Sequence, residues 1–253
     1  MIKKILAVIA IVGTAINTTA QSNYAVPFVD TSRPENVIEG SVNIGVGASS
    51  MIQNYRSAVP GLSDFTFSPG TMMSVGADVQ LPIRNFLAIG TSLNFNINNY
   101  SWAMTIMQPQ DGSLSVLKTK NHFYDIDVPV YVAFRFNLSQ KVRWTNEAGW
   151  YISFGAGGDT RTRVYTSATG PEGENQISVT HYKRDYYKDD NAIVNGVTST
   201  DWGLHLATGL QICKRLSLKA VMHVGARDLS RNIGGLNINN HTLNASFKAG
   251  YIF

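Results

Sequence analysis

The sequence predicts an all-β fold, an eight-stranded antiparallel up-and-down transmembrane β-barrel of the outer-membrane type. Three observations support this: eight segments alternate apolar and polar residues, short and long connections alternate between them, and an export signal precedes them. The composition agrees, because 15% of the residues are charged and 22 are glycine, as expected of strands and turns.

The N-terminus predicts a signal peptide over residues 1–20. Lys3 and Lys4 precede an apolar run at 5–12, and Ala20 provides the small residue that a signal peptidase requires. The run is shorter than the roughly 20 residues that a membrane-spanning helix needs. The mature chain is therefore expected to be exported and to enter a membrane as a barrel.

The charge balance gives no case for nucleic acid binding. Without Lys3 and Lys4, 19 basic residues (21 − 2) stand against 17 acidic residues, so the net charge is +2. No basic run or basic-aromatic patch is present. The single cysteine, Cys213, cannot form an internal disulfide.

Each alternating segment has one apolar face and one face of small or polar residues. In "FYDIDVPVYVAFRFNL", Tyr124 and Ile126 share one face, while Asp125 and Asp127 share the other. Small polar-face residues suit the inside of a narrow barrel, so the apolar face is expected to point toward lipid. Pro129 is expected to cause a local bulge, because it lacks an N–H group. The segments lie near 38–49, 71–81, 86–98, 123–138, 146–157, 201–213, 215–227 and 242–253.

The connections assign the two ends of the barrel. Those after the second, fourth and sixth segments are short ("PIRN", "SQKVRWT" and "KR"), and the others are long and polar. Long loops are extracellular in outer-membrane barrels, and both termini are then periplasmic. Residues 21–36 are expected to form a periplasmic N-terminal segment, and 37–253 the barrel. The long loops are expected near 50–70, 99–122, 158–200 and 228–241.

The longest loop, 158–200, contains its own pattern. Alternation in "TRVYTSAT" and "NQISVTHY", around "GPEGE", predicts that two strands continue outward as a hairpin. The stretch "HYKRDYYKDD" combines tyrosines with charges and could bind an extracellular ligand, such as a glycan, a protein or a phage. The alternative is a solvated, variable loop. The "GAGG" at 155–158 ends a strand without a following lysine at Walker spacing, so it is not a phosphate-binding loop.

Aromatic residues lie where the strands should cross the two membrane interfaces. The girdle at the loop end is expected to contain Phe95, Tyr124 and Trp202, and the girdle at the turn end Phe136, Trp144, Tyr251 and Phe253.

Charged residues on the polar face are expected to form a lumen charge network, because buried charges persist when they are paired. Strand direction predicts two ion-pair clusters, an upper one of Asp125, Asp127, His205, His223 and Arg227, and a lower one of Asp78, Arg135, Lys219 and Lys248. A lipid-modifying site at His205 or His223 is the alternative, but no serine can be singled out as nucleophile. No catalytic residue, metal ligand or cofactor is predicted.

Several stretches carry a resemblance to a known family: "TTAQ", "YDIDVPVYVAFRF", "AGWYISFGAGG", "WGLHLATGLQICKRLSLKAVMHVGARDLS" and the terminal "AGYIF". They resemble the PorT-like outer-membrane β-barrel family of Gram-negative bacteria, and the chain is also similar to the barrel half of OmpA. The resemblance implies an eight-stranded barrel. The family's namesake is implicated in protein secretion across the outer membrane, but no residue signature here carries that role.

The expected function is that of an integral outer-membrane barrel with a structural or surface-binding role and no catalysis. The alternatives are a narrow porin-like channel, a component of protein secretion and a lipid-modifying enzyme. The expected partners are outer-membrane lipid, the barrel-assembly machinery and an extracellular ligand at 158–200. The protein is expected to be a monomer.

The last strand also predicts an assembly signal. Phe247, Tyr251 and Phe253 resemble the C-terminal signal that the assembly machinery recognises, while Lys248 points into the lumen toward Asp78 or another acid. Deleting Phe253 is expected to lower the level of inserted protein in the outer membrane. The deletion should leave the thermal stability of barrels refolded in detergent nearly unchanged. Unaltered membrane levels of the deleted variant would contradict this prediction.

Overall fold

The computed structural model describes residues 26–55, 59, 61–107, 113–169, 175–187, 197–230 and 238–253. The predicted signal peptide, 1–20, lies outside the described residues, as do residues 21–25. None of the described residues form a helix long and apolar enough to cross a membrane. The described residues form the strands β1 (Glu39–Gln53), β2 (Leu62–Arg84), β3 (Leu87–Met107), β4 (Leu114–Asn137), β5 (Val142–Thr169), β6 (Asn175–Asp185), β7 (Thr200–Ile212), β8 (Leu216–Gly225) and β9 (Asn240–Ile252).

Eight of these strands close a ring, which confirms the predicted eight-stranded barrel. All neighbours are antiparallel, in the order β1-β2-β3-β4-β5-β7-β8-β9, and β9 returns to pair with β1. The remaining strand, β6, is paired among the described residues only with Asp159–Thr169 of β5. This confirms the hairpin predicted within 158–200, with Thr169 opposite Asn175.

The two faces of the ring have opposite polarity. Ile44 and Val130 are 68% and 56% exposed on the outward face, whereas Asn94 and Tyr131 are 1% and 2% exposed inside. Small residues make room for the bulky interior side chains, as Gly90 and Gly149 flank Tyr131 on β3 and β5. The apolar outward face and the filled interior are those expected of a barrel in lipid.

Two of the predicted loops are wrong, because most of 50–70 and 99–122 is strand. β2 begins at Leu62, β3 continues to Met107 and β4 begins at Leu114. The polarity of the faces inverts in these extensions: large apolar residues point inward and polar residues point outward. The inward set includes Phe65, Tyr100, Trp102, Met104, Leu117 and Phe123, all buried. The extensions were predicted as loops because the predicted strands were required to have an apolar outward face, and here that face is polar.

Pro129 does not cause the predicted bulge. It pairs with Tyr151 of β5, and the register between β3 and β4 is the same on both sides of it. Its own carbonyl accepts a hydrogen bond of 2.9 Å from the Thr91 hydroxyl. The ring therefore tolerates the missing N–H by a local gap in the β3–β4 ladder.

The bulge lies instead at "GAGG". Tyr124 is opposite Gly157 and Asp125 is opposite Gly155, so Ala156 is an extra residue in β5. Gly157 has a φ of +149°, a conformation that side chains rarely adopt. Below this point β5 pairs with β7, and above it β5 pairs with β6. The bulge therefore marks the junction between the ring and the hairpin.

The N-terminal segment lies against the turn end of the ring. The Phe28 carbonyl accepts a hydrogen bond from Asn137 N at 2.9 Å, and the Asp30 carbonyl accepts one from Phe86 N at 3.1 Å. The Phe28 and Phe136 rings stack at 5.0 Å. Hydrogen bonds from Ser32 lower the pKa of Asp30 below its ordinary value.

Replacing Gly90 with valine should destabilise the ring. A Cβ atom at this position would lie 2.6 Å from Cε2 of Tyr131, so the ring of Tyr131 must move. We expect a loss of about 1–3 kcal/mol from overpacking. Thermal unfolding of the refolded barrel, followed by gel mobility without boiling, measures it. Leu93→Val is the matched control, because Leu93 lies on the outward face of the same strand. Equal stability of the two variants would contradict the prediction.

Candidate functional site

A largely buried cation, Lys219, lies in the middle of the lumen. Lys219 Nζ lies 2.6 Å from Glu147 Oε1 and 3.4 Å from Asp78 Oδ2. Asp78 also accepts hydrogen bonds from Ser41 (3.2 Å) and Asn43 (3.1 Å). The partners come from β8, β5, β2 and β1, so this cluster links opposite walls of the ring. It neutralises two buried carboxylates with one ammonium group.

The two lumen histidines extend this cluster toward the loop end. His205 Nε2 lies 3.5 Å from Glu147 Oε2, and His205 Nδ1 lies 2.9 Å from His223 Nε2. His223 Nδ1 lies 3.2 Å from Asp127 Oδ2. Each imidazole therefore uses both ring nitrogens within the chain Glu147–His205–His223–Asp127. The rings are also packed, His223 against Tyr151 at 4.4 Å and His205 against Tyr131 at 5.1 Å.

Asparagines of β3 bind the acidic pair at the upper end. Asn96 Nδ2 donates to Asp125 Oδ1 and to Asp127 Oδ2, each at 2.7 Å. Asn98 Nδ2 donates to Asp125 Oδ2. The alternation in "NFNIN" places these amides on the inward face of β3. The donors to Asp125 and Asp127 are therefore asparagine amides, together with His223.

Arg135 forms the lower end of the network. Its guanidinium binds Glu39 in a bidentate pair, with distances of 3.1 and 2.8 Å, and also donates to Gln80 Oε1. Gln80 Nε2 in turn donates to Glu147 Oε1 at 3.4 Å and to the Tyr131 hydroxyl at 3.1 Å. The two separate clusters predicted from strand direction are therefore one continuous network, joined through Gln80 and Glu147.

Two predicted members of the network have other positions. Lys248 Nζ donates to Asn94 Oδ1 at 2.6 Å, whereas Asp78, its predicted partner, pairs with Lys219. Arg227 lies beyond the end of β8 at Gly225, and its backbone N–H donates to Trp202 O at 3.4 Å. Arg227 therefore lies outside the strand to which the prediction assigned it.

Sequence reasoning missed the two glutamates that hold the network together, Glu39 and Glu147. Glu147 is in phase with Ser153 on the inward face of β5, but adjacent Trp150 and Tyr151 obscure which face is apolar. Glu39 is in phase with Ser41 at the very start of β1. Both glutamates could have been predicted to point into the lumen, because each is in phase with a small polar residue of the inward face.

Two cavities that are lined by described residues of the lumen are small. A cavity of about 30 Å³ lies beside Arg135 and Lys219, and another of about 30 Å³ lies beneath Tyr187 and Asp127. Each volume suffices for about two water molecules. Among the described residues, no group of three or more His, Cys, Asp or Glu side chains could hold a metal ion.

A cluster of aromatic and aliphatic side chains, here called the outer core, covers the loop end of the lumen. Tyr186 stacks on Phe123 with a centroid distance of 4.3 Å, and its hydroxyl lies 2.9 Å from that of Tyr100. Burial raises the pKa of Tyr186 well above its ordinary value. The outer core comprises Met51, Tyr55, Phe65, Tyr100, Trp102, Met104, Leu117, Phe123, Tyr186, Tyr187, Val197, Leu229 and Ile238.

Asp228 fastens the last connection to this core. Burial raises its pKa, but hydrogen bonds from Asn240 N (2.8 Å) and from Ser230 N (3.0 Å) and Oγ (2.7 Å) outweigh that effect. The pKa of Asp228 is therefore lower than usual. The carboxylate holds residues 228–230 against the start of β9.

The predicted girdle residues lie on or beside the outward face. Phe95 and Tyr124 stack at 6.1 Å, and Trp202 lies 6.0 Å from Trp150, which sequence reasoning did not include. At the turn end Phe136 lies 5.6 Å from Trp144. Tyr251, Phe247 and Phe253 are exposed on β9 and at the C-terminus, and Phe253 N donates to Gly40 O at 3.0 Å.

Removing the central cation should destabilise the barrel strongly. Lys219→Met leaves Glu147 and Asp78 buried without their ammonium partner, and about 3–5 kcal/mol should be lost. Unfolding of the reconstituted protein in urea measures the loss. Lys214→Met, at an exposed turn, is the matched control. Glu147→Gln added to Lys219→Met should restore part of the loss. A Lys219 variant as stable as the control would contradict the prediction.

Comparisons with known proteins agree with this fold. The chain matches the family model described as outer membrane protein beta-barrel domain over residues 20–230. No curated protein matches it. Among solved structures, Ail, the attachment invasion locus protein of Yersinia pestis, in complex with the heparin analogue sucrose octasulfate, is 12% identical, with 85% of this chain and 99% of that chain covered and a TM-score of 0.34.

Two further solved structures are similar. Neisserial surface protein A is 11% identical, with 85% of this chain and 97% of that chain covered and a TM-score of 0.37. The N-terminal β-barrel domain of Pseudomonas aeruginosa OprF is 8% identical, with 84% and 97% covered and a TM-score of 0.29. The family match covers most of the sequence, including all of β1 to β8. The chain belongs to the outer-membrane β-barrel domain family.

Proposed function

We propose that the protein is a sealed, non-catalytic barrel that presents a β-sheet for binding at the cell surface. The sheet, here called the outer sheet, consists of β6 and the parts of β2 to β5 above the girdle of Phe95 and Tyr124. The observation that carries the proposal is strand length. β5 has 28 residues, whereas about 9–11 residues cross a membrane as a strand.

The interior supports a sealed rather than a conducting barrel. The charge network fills the lumen from Arg135 to Asn98, and the outer core covers its loop end. Eight strands enclose a space that side chains can fill. A diffusion channel would need a continuous water path, whereas the cavities that described residues line beside Arg135 and beneath Tyr187 have volumes of about 30 Å³ each.

The histidine pair supports a structural role rather than catalysis. His205 and His223 are 3% and 4% exposed, and all four ring nitrogens have partners within the network. A general base must reach a substrate proton directly or through one water. Substrate access to these nitrogens would require the outer core to open.

A two-part experiment tests this proposal. The full-length mature protein in planar bilayers should give no ohmic conductance steps. Proteinase K, which does not require a basic residue, should cut within the β5–β6 hairpin when it is added to intact cells, and it should leave the ring in the membrane. A variant with 161–183 replaced by Asn-Gly should resist this cleavage and still show heat-modifiable mobility, because the ring does not need β6. Conductance steps in the wild type, or protection of the hairpin on intact cells, would overturn the proposal.

A further inference from the structure

A block of basic side chains crosses three strands of the outer sheet. In one row Lys118 of β4 is opposite Arg163 of β5, and Arg163 is opposite His181 of β6. In the next row, Lys120, Arg161 and Lys183 are opposite one another in the same way. Directly opposed residues share one face of a sheet. These six exposed residues are here called the cationic block.

The block is not neutralised within the sheet. Asp159 and Asp185 form the adjoining row, and Asp159 Oδ2 lies 2.7 Å from Arg161 Nε. Two carboxylates therefore stand beside five lysine and arginine side chains, which leaves a charge of +3 before any contribution from His181. Like charges directly opposite one another destabilise a sheet. An anionic ligand would relieve that repulsion.

The block lies on the face that continues into the apolar wall of the barrel. On β4, Lys118, Lys120 and His122 are in phase with Tyr124 and Ile126. Lys120 is four residues from Tyr124, which corresponds to about 10 Å along the membrane normal for a tilted strand. Lysine and arginine side chains can reach back over part of that distance. The cations are therefore at the level of lipid headgroups.

A groove of about 500 Å³ adjoins the block on the β2–β3 side. Its wall consists mainly of small or polar residues, among them Thr71, Asn99 and Ser101, with Lys120 and the ion pair of Arg161 and Asp159 at its edge. His122 fixes this wall, because Nδ1 lies 2.6 Å from Asn99 Oδ1 and Nε2 lies 2.8 Å from the Tyr124 hydroxyl. Hydroxyl and amide groups beside two cations suit a phosphorylated sugar.

We infer that the cationic block and this groove bind the phosphorylated sugar headgroup of an outer-leaflet glycolipid. The position favours a lipid over a soluble polyanion, because the same face is in contact with acyl chains below Tyr124. A soluble polyanion would not require the cationic block to lie on the same face as the apolar wall of the barrel. The inference rests on the surface exposure of the outer sheet proposed above, and it names the ligand class of that sheet.

The test uses the full-length mature protein in nanodiscs of zwitterionic lipid. Binding of bisphosphorylated lipid A is compared with binding of the same lipid after removal of both phosphates. The patch variant is Lys118→Gln, Lys120→Gln and Lys183→Gln together. The matched control removes three exposed charges at the turn end, Arg84→Gln, Lys141→Gln and Lys214→Gln. We expect the wild type and the control to prefer the phosphorylated lipid, and the patch variant to bind it at least about tenfold more weakly.

Three results would overturn the inference: equal binding of the two lipids by the wild type, equal affinity of the patch and control variants, or tighter binding of a heparin oligosaccharide than of lipid A. The comparison of the two lipids needs no variant, so a failure of the patch variant to fold leaves the test intact. If the lipid-binding test fails while proteinase K cuts the hairpin on intact cells and no conductance is found, the surface role stands and only the glycolipid is removed.

Discussion

Closure of the backbone ladder is the constraint on which the structure depends. In hydrocarbon no water is available to an unpaired N–H or C=O group, so every strand in the membrane needs a neighbour on both sides. The pairing of β1 with β9 over Ser41–Gln53 meets this requirement. Closure also sets two requirements for the side chains inside the ring. The interior of eight strands is narrow, so side chains must fill it. Its surroundings are apolar, so charged side chains inside it must be paired.

The charged side chains of the lumen are paired within one network rather than in separate ion pairs. Lys219 is shared by Glu147 and Asp78, and Glu147 is shared by Lys219, His205 and Gln80. Breaking one link thus affects partners on several strands. Beyond Phe95 and Tyr124 the polarity reverses: the outward face becomes polar, and the interior becomes apolar. The outer core is a soluble-protein core placed on top of a membrane barrel, and both are made from the same strands.

The strands of the ring could be predicted from the sequence, but most of the strand extensions beyond the ring could not. Alternation identified every strand of the barrel because each of the eight strands has an apolar outward face within the ring, as at Val42 and Val130. It failed at Phe65, Trp102 and Leu117, where the inward face is the apolar one and the period of two continues with opposite polarity. The hairpin was recognised because "GPEGE" separates two alternating stretches.

The sequence predicted which charged residues point into the lumen, but it did not predict the partners with which they form ion pairs. Period-two alternation places Asp127, His223 and Lys219 inside, yet their pairing depends on register and tilt, which bring β8 opposite β5 and β2 across the lumen. For this reason Lys248 was paired with the wrong acceptor and Glu147 was overlooked. The PorT resemblance remains an expectation, since the family match establishes only the broader outer-membrane β-barrel group.

The extra residue at Ala156 has a consequence for how such a protein can diversify. Since β5 exchanges β7 for β6 at this point, β6 has no place in the order of the ring, and Asp159–Ser167 of β5 is paired with β4 on one side and with β6 on the other. The hairpin could lengthen, shorten or change its charges while the order and register of the ring stay the same. Gly155–Gly158 is in that sense a graft point, at which the ring is joined to a hairpin whose length does not affect the closure of the ring.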